Sequence, residues 1–238
     1  MGLNFFTIGG TASLDHGIIV SRADVFGAPA RVYEEVAIPG RNGSLLFDEG
    51  RYENITIAYE CILRGDNADL AGFRSWLASF TSYVRPEDTY HPQEYRMAVP
   101  ISGLTVETSL KRRVSHFTVY FSCKPQRFLK SGDQGTTYTA GTSLLNPTRF
   151  PAKPLIRVYG NGVLTVGSVS ITIAPHSLSY IDLDCDLCDA CCGSTNANQY
   201  VSLSGTGSYP ALEGNTATGI SWTGSITSIV VRPRWWTL

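Results

Sequence analysis

The stretch NITIAYECILR, residues 54–64, alternates apolar and polar side chains with a period of two. Ile55, Ile57, Tyr59, Cys61 and Leu63 fall on one face, and Asn54, Thr56 and Glu60 on the other. That is the pattern of a strand with one side in a core. SHFTVYFSC repeats it with Phe117, Val119, Phe121 and Cys123. Upstream, RVYEEVAIPGRNGSLLFDEG sets Asn42-Gly43 between two extended runs. A type I′ turn needs positive φ at both central residues, which Asn-Gly supplies, so a β-hairpin is expected there. GDNADLAGFRSWLASFTS departs from this period. Leu70, Phe73, Leu77 and Phe80, with Trp76 beside them, form a helical stripe. Asn67 is the expected N-cap, and Asp66 and Asp69 complement the helix dipole. One amphipathic helix of about three to four turns on a β layer follows, with its aromatics serving as core rather than ligand site.

Residues 130–153 show no sustained period and are dense in Gly, Thr and Pro. A linker is expected there, giving an N-terminal domain at 1–130, a linker at 131–153 and a C-terminal domain at 154–238. Beyond it, GSVSITI alternates Val169, Ile171 and Ile173 with Ser168, Ser170 and Thr172. QYVSLSG, GISWTGSI and TSIVVRPRW follow as further short strands. Such spacing suggests a β-sandwich or jelly roll. Charged residues are only 16% and Gly numbers 23 in 238 residues, which suits strands and turns better than helices. The expected fold is mainly β in two domains. The first is β-sandwich or barrel-like with one helix and a protruding hairpin, and the second is a β-sandwich.

A net charge of −1 gives no global field toward nucleic acid or an anionic membrane. MGLNFFTIGG lacks a basic n-region and a long apolar h-region, and no run approaches ~18 apolar residues. A soluble chain made in a cytoplasm, with no membrane insertion, is expected. Cysteines crowd DLDCDLCDACCG at 182–193. Cys185-x-x-Cys188 and Cys188-x-x-Cys191 resemble one zinc knuckle, but no second knuckle exists, and His176 and Cys123 are the only conceivable fourth ligands. Adjacent Cys191 and Cys192 do not both reach one tetrahedral centre easily. Incidental thiols in a loop between two strands are the expected reading, with Cys185, Cys188 and Cys191 as the ligands should a metal be held. No other cofactor is indicated.

No G-x-S-x-G, H-E-x-x-H or H-x-E…C-x-x-C signature is present, and His16, His91, His116 and His176 are scattered. DEGRYE at 48–53 reads as a solvated hairpin end. GNG at 160–162 lacks the following helix of a phosphate cradle. KRRVSH at 111–116 is the one basic cluster, either a solvated edge or a contact with an acidic neighbouring subunit. The sequons at Asn42 and Asn54 read as background. No catalytic residue and no enzyme are expected.

Motif by motif, the chain resembles the distal tail (Dit) proteins of long non-contractile-tailed bacteriophages and prophages. FFTIGG, DHGIIV, IPGRNG at 38–43, YENITI at 52–57 and the ADLAGFRSWLASF helix carry the amino-terminal likeness. KPLIRVYGNGVLTVGSVSITI, SYIDLD and YPALEGNTATGISWTGSITSIVVRPRWWTL carry the rest, so the resemblance spans nearly the whole chain. DLCDACC departs from it in cysteine density. The resemblance implies a galectin-like or carbohydrate-binding-module-like second domain and a hexameric ring at the virion tail tip. That hub joins the tail tube protein to a tail-tip or tail-associated protein, and in some members to receptor-binding proteins. The hairpin Ile38, Pro39, Gly40, Arg41, Asn42 and Gly43, on to Tyr52, is then expected to cross the subunit boundary by strand addition. The alternative is a carbohydrate-binding module, for which Tyr180, Tyr200, Tyr209, Trp222, Trp235 and Trp236 are stacking candidates.

Overall fold

The computed structural model describes residues 2–64, 68–101, 103–104, 107–109, 114–204 and 207–238. The expected N-cap Asn67 with Asp66, the Asp69 side chain, and basic Lys111, Arg112 and Arg113 lie outside the described residues. The chain is mainly β. It divides into two compact units, residues 1–127 with 238, and residues 128–237.

In the first unit, Ile55–Arg64 lies antiparallel between Ile18–Ala23 and Val114–Leu129. Its register sets Cys61 opposite Phe117, Tyr59 opposite Val119 and Ile57 opposite Phe121. Residues directly opposite project to the same side, so both alternating rows merge into one apolar face. Glu94–Pro100 and Glu107–Ser109 pair with the long strand as well. Facing this sheet, Phe6–Ile8 pairs with Thr11–Ala12 and Pro86–Asp88. Helix Ala68–Ala78 adds Leu70, Phe73 and Leu77 to the same core, with Trp76 and Phe80 partly buried against it. Phe6 sits at the centre, its ring 5.2 Å from Tyr59, 5.5 Å from Phe121, 6.2 Å from Trp76 and 6.3 Å from Phe73. The aromatic stripe of the helix is core.

In the second unit, one sheet runs Thr136–Tyr138, Ser228–Arg232, Leu155–Tyr159, Ile181–Asp184, Asp189–Cys192 and Thr195–Asn196. The other runs Thr142–Leu145, Ala217–Gly224, Gly162–Val166, Val169–Ile173 and Val201–Leu203. Ile156, Val158, Ile181, Leu183, Ile229 and Val231 from the first meet Leu164, Val166, Ile171, Ile173 and Ile220 from the second in one core. Residues 131–153, expected to be a linker, instead carry part of this unit. Thr136–Tyr138 pairs with Ser228–Arg232, and Thr142–Leu145 with Ala217–Gly224. Buried Asn146 anchors the stretch that follows. Its amide donates to the carbonyls of Phe150 and Leu212, and its oxygen accepts from the Thr148 backbone N–H and hydroxyl. Strands this short write no sustained period into a sequence, and their partners lie far along the chain.

Candidate assembly surface

Arg31–Ala37 and Ser44–Tyr52 form a two-stranded antiparallel sheet of their own. The expected hairpin is present, with a different turn. Pairing stops at Ala37 and Ser44, leaving residues 38–43 as the loop. The Arg41 N–H donates to the Ile38 carbonyl at 3.2 Å, with Pro39 second and Gly40 third in that turn. Gly40 takes φ +78°, the type II signature, and Gly43 takes φ +81°. Asn42 is not among the residues with positive φ, so the type I′ expectation fails. Proline presets the turn one step earlier than Asn-Gly would.

At the other end the register slips between Arg31 and Tyr33, so that Arg31 opposes Tyr52 and Tyr33 opposes Asp48. Gly50, φ +70°, takes up the bulge, and its N–H donates to Asp48 at 2.9 Å. Arg31 donates to both Asp48 oxygens and to the Tyr52 hydroxyl. Those hydrogen bonds from Arg31 and Gly50 hold the Asp48 carboxyl below its ordinary range. The base of the arm is therefore clamped while its length stands in solvent.

Nearly every residue of the arm is exposed. Leu45, Leu46 and Phe47 are 42%, 54% and 53% exposed, and Tyr33, Val36 and Ile38 are exposed too. Glu34, Val36, Leu45 and Phe47 share one face; Tyr33, Glu35, Ala37, Ser44, Leu46 and Asp48 share the other. An isolated two-stranded hairpin is at best marginally stable in water. A run of three exposed apolar residues is unusual on a solvated surface. The expected interface residues, Ile38 to Gly43 and Tyr52, lie at the tip and the clamped base. The residues between them, inside the expected span but not singled out by the sequence reading, carry the apolar area. The consecutive Leu45-Leu46-Phe47, which breaks period-two alternation, was the available signal.

The cysteine stretch is itself a hairpin, Ile181–Asp184 with Asp189–Cys192, rather than a loop between strands. Cys185 is buried, Cys188 is exposed in the turn at φ +54°, and Cys191 and Cys192 are intermediate. Successive strand residues face opposite ways, so Cys191 and Cys192 diverge. Among the described residues, no group of three His, Cys, Asp or Glu is disposed to hold a metal ion. Burial pushes the Cys185 thiol up to about 12, which keeps it protonated and unreactive near neutrality. Alkylation of the folded chain, followed by peptide mass spectrometry, should therefore modify Cys188 roughly tenfold or more faster than Cys185.

Asp184 closes this hairpin. Burial pushes its carboxyl up, but Arg234, donating at 2.7 and 2.8 Å, and the N–H groups of Leu187 and Asp186 outweigh that and hold it below its ordinary value. A depressed carboxyl contributes stability that is complete above the unfolded value of 3.8 and is lost as pH falls through the folded value. Acid titration of the melting temperature should show that loss below about pH 4, and Asp184→Asn should flatten it.

Inside the first unit, Tyr59, Asp88, Glu94, Arg96 and Arg127 line a cavity of about 20 Å³. That is room for roughly one water, not a substrate. The carbohydrate-stacking candidates are mostly committed to the second core. Trp235 is buried, and Tyr200, Tyr209, Trp222 and Trp236 pack against it, while Arg157 covers the Tyr180 ring at 3.9 Å.

No family model and no curated protein matches the sequence. Solved structures do match. A chain of the phage P2 baseplate in its activated conformation with Ca is 10% identical, with 97% of this chain and 98% of that one covered and a TM-score of 0.52. The SPP1 Dit protein, described as a paradigm of hub adsorption apparatus in phages infecting Gram-positive bacteria, is 14% identical, with 97% and 98% covered and a TM-score of 0.68. From end to end, this chain has the fold of the SPP1 Dit protein.

Proposed function

We propose that the chain is a structural hub of a phage tail tip. Six copies close a ring through the first unit, between the tail tube protein and a tail-tip or tail-associated protein, with receptor-binding proteins as further partners. The exposed apolar arm Arg31–Tyr52 carries this reading, and the fold likeness to a described hub protein supports it. A ring built from one repeated contact needs a projecting patch and a receiving patch on each subunit. A clamped arm with solvated backbone edges and apolar faces supplies the first of these, by strand addition or by side-chain docking. A near-neutral chain also suits a ring through which DNA passes, because a basic lumen would hold phosphates.

Mass photometry and negative-stain imaging of the full chain test the reading, with sixfold particles as the expected result. Gly40→Val with Gly43→Val forces side chains into positive φ at the arm tip, where each added Cβ meets open space. The backbone strain is on the order of 1–3 kcal/mol per site and stays local to the tip. The variant should lose assembled mass while its melting temperature holds. An unchanged mass would reject the arm as the subunit contact.

A further inference from the structure

The first unit carries a second uncovered apolar surface. A groove of about 490 Å³ lies between the end of helix Ala68–Ala78 and the segment after Glu94–Pro100. Leu77, Phe80, Pro100, Ile101 and Leu104 line it, together with Arg74. Hydrogen bonds fix part of its walls. The Phe80 N–H donates to the Leu77 carbonyl and the Ser79 hydroxyl to that of Trp76, closing the helix end. The Ile101 N–H donates to the Tyr120 carbonyl at 3.0 Å, which leaves the Ile101 side chain 54% exposed at the groove. A preset groove loses little freedom when it is filled.

We propose that this groove receives the arm of a second copy of the chain. Val36, Leu45 and Phe47 enter it, and Glu34 meets Arg74. The proposal rests on the arm being the subunit contact and names the receiving surface. Charge and face both favour it. Glu34 is the only charge among the paired residues of the arm face that holds Val36, Leu45 and Phe47. Among the described residues, Arg74 is the only charge lining the groove. Among the described residues neither makes an ion pair within its own chain. The opposite arm face carries Glu35 and Asp48 and fewer large apolar groups, so it fits the groove less well. Patch and counter-patch then differ, as a head-to-tail ring requires. Phe47 is the anchor and the ion pair sits at the rim.

The test uses the full chain with a photo-crosslinking amino acid in place of Phe47, mixed from heavy- and light-isotope preparations. Cross-links from a heavy chain to residues 74–80 or 100–104 of a light chain are expected. Glu34→Arg and Arg74→Glu should each weaken assembly about fivefold, and the double variant should regain most of it. Cross-links to any other surface of the second copy overturn the groove and leave the arm reading standing. Cross-links to the groove of the same chain also overturn it. If no intermolecular cross-link forms at any concentration, the arm reading falls as well.

Discussion

Replacing Phe6 with alanine should destabilise the first unit by about 3–5 kcal/mol, the range for a fully buried aromatic cut back to a methyl. Phe6 has no exposed surface, and its ring contacts Tyr59, Phe121, Trp76 and Phe73, which come from two strands and the helix. Both the transfer term and the cavity left among four rings count against the variant, because neighbours anchored on three elements cannot collapse together. A domain of this size has only about 5–15 kcal/mol to lose. Urea unfolding should show the first unit's midpoint falling by roughly 2 M at an ordinary slope. Leu3→Ala, at a residue 56% exposed, should move it by no more than about 0.5 kcal/mol. A Phe6→Ala shift as small as the Leu3→Ala shift would mean the rings do not form a single core.

The elements visible in the sequence are those whose burial is one-sided. Ile57, Tyr59, Cys61 and Leu63 are buried on alternate positions, as are Phe117, Val119, Phe121 and Cys123, and Leu70, Phe73 and Leu77 are buried at helical spacing. One wet face and one dry face write a period into the chain. The arm escapes that logic because both its faces are wet in the protomer. Leu45, Leu46 and Phe47 therefore run together without alternation, and only the hairpin as such was legible. Its turn was misread because Asn42-Gly43 is the stronger dipeptide signal, whereas Pro39-Gly40 sits where the strands stop pairing. The cysteines were misread for a related reason. Strands of four residues on either side of a tight turn look like one polar loop, so the burial of Cys185 could not be seen. The groove is a property of two segments brought together by the fold, and no local pattern announces it. The ring was expected from resemblance alone.

Gly162→Ala should cost the second unit about 4 kcal/mol, for a reason unrelated to ligand binding. GNG at 160–162 joins Leu155–Tyr159 to Gly162–Val166, and its glycines are set by another turn pressed against it. A Cβ on Gly162 would stand 2.0 Å from the Thr223 carbonyl oxygen, and one on Gly160 would stand 2.2 Å from that of Ser225. Both obstacles are backbone, so no side chain can rotate away. Gly162 also holds φ +149°, where side chains other than glycine are strained. Its cross-strand partner is Gly224, itself at φ +83°, where an added Cβ would stand only 2.8 Å from the Gly162 Cα and has no room. Backbone strain of roughly 1–3 kcal/mol and overpacking of roughly 1–3 kcal/mol act together at one site. Relief requires Ala217–Gly224 to part from Gly162–Val166, which opens the core at Leu164 and Ile220. Gly219→Ala is the control, since its Cβ meets nothing within 4 Å and its φ is outside the positive region. That variant should be neutral to within about 0.5 kcal/mol. Calorimetry comparing the two should therefore separate them widely. Equal melting temperatures would show that the two turns do not lie against each other, and the register of this sheet would have to be redrawn.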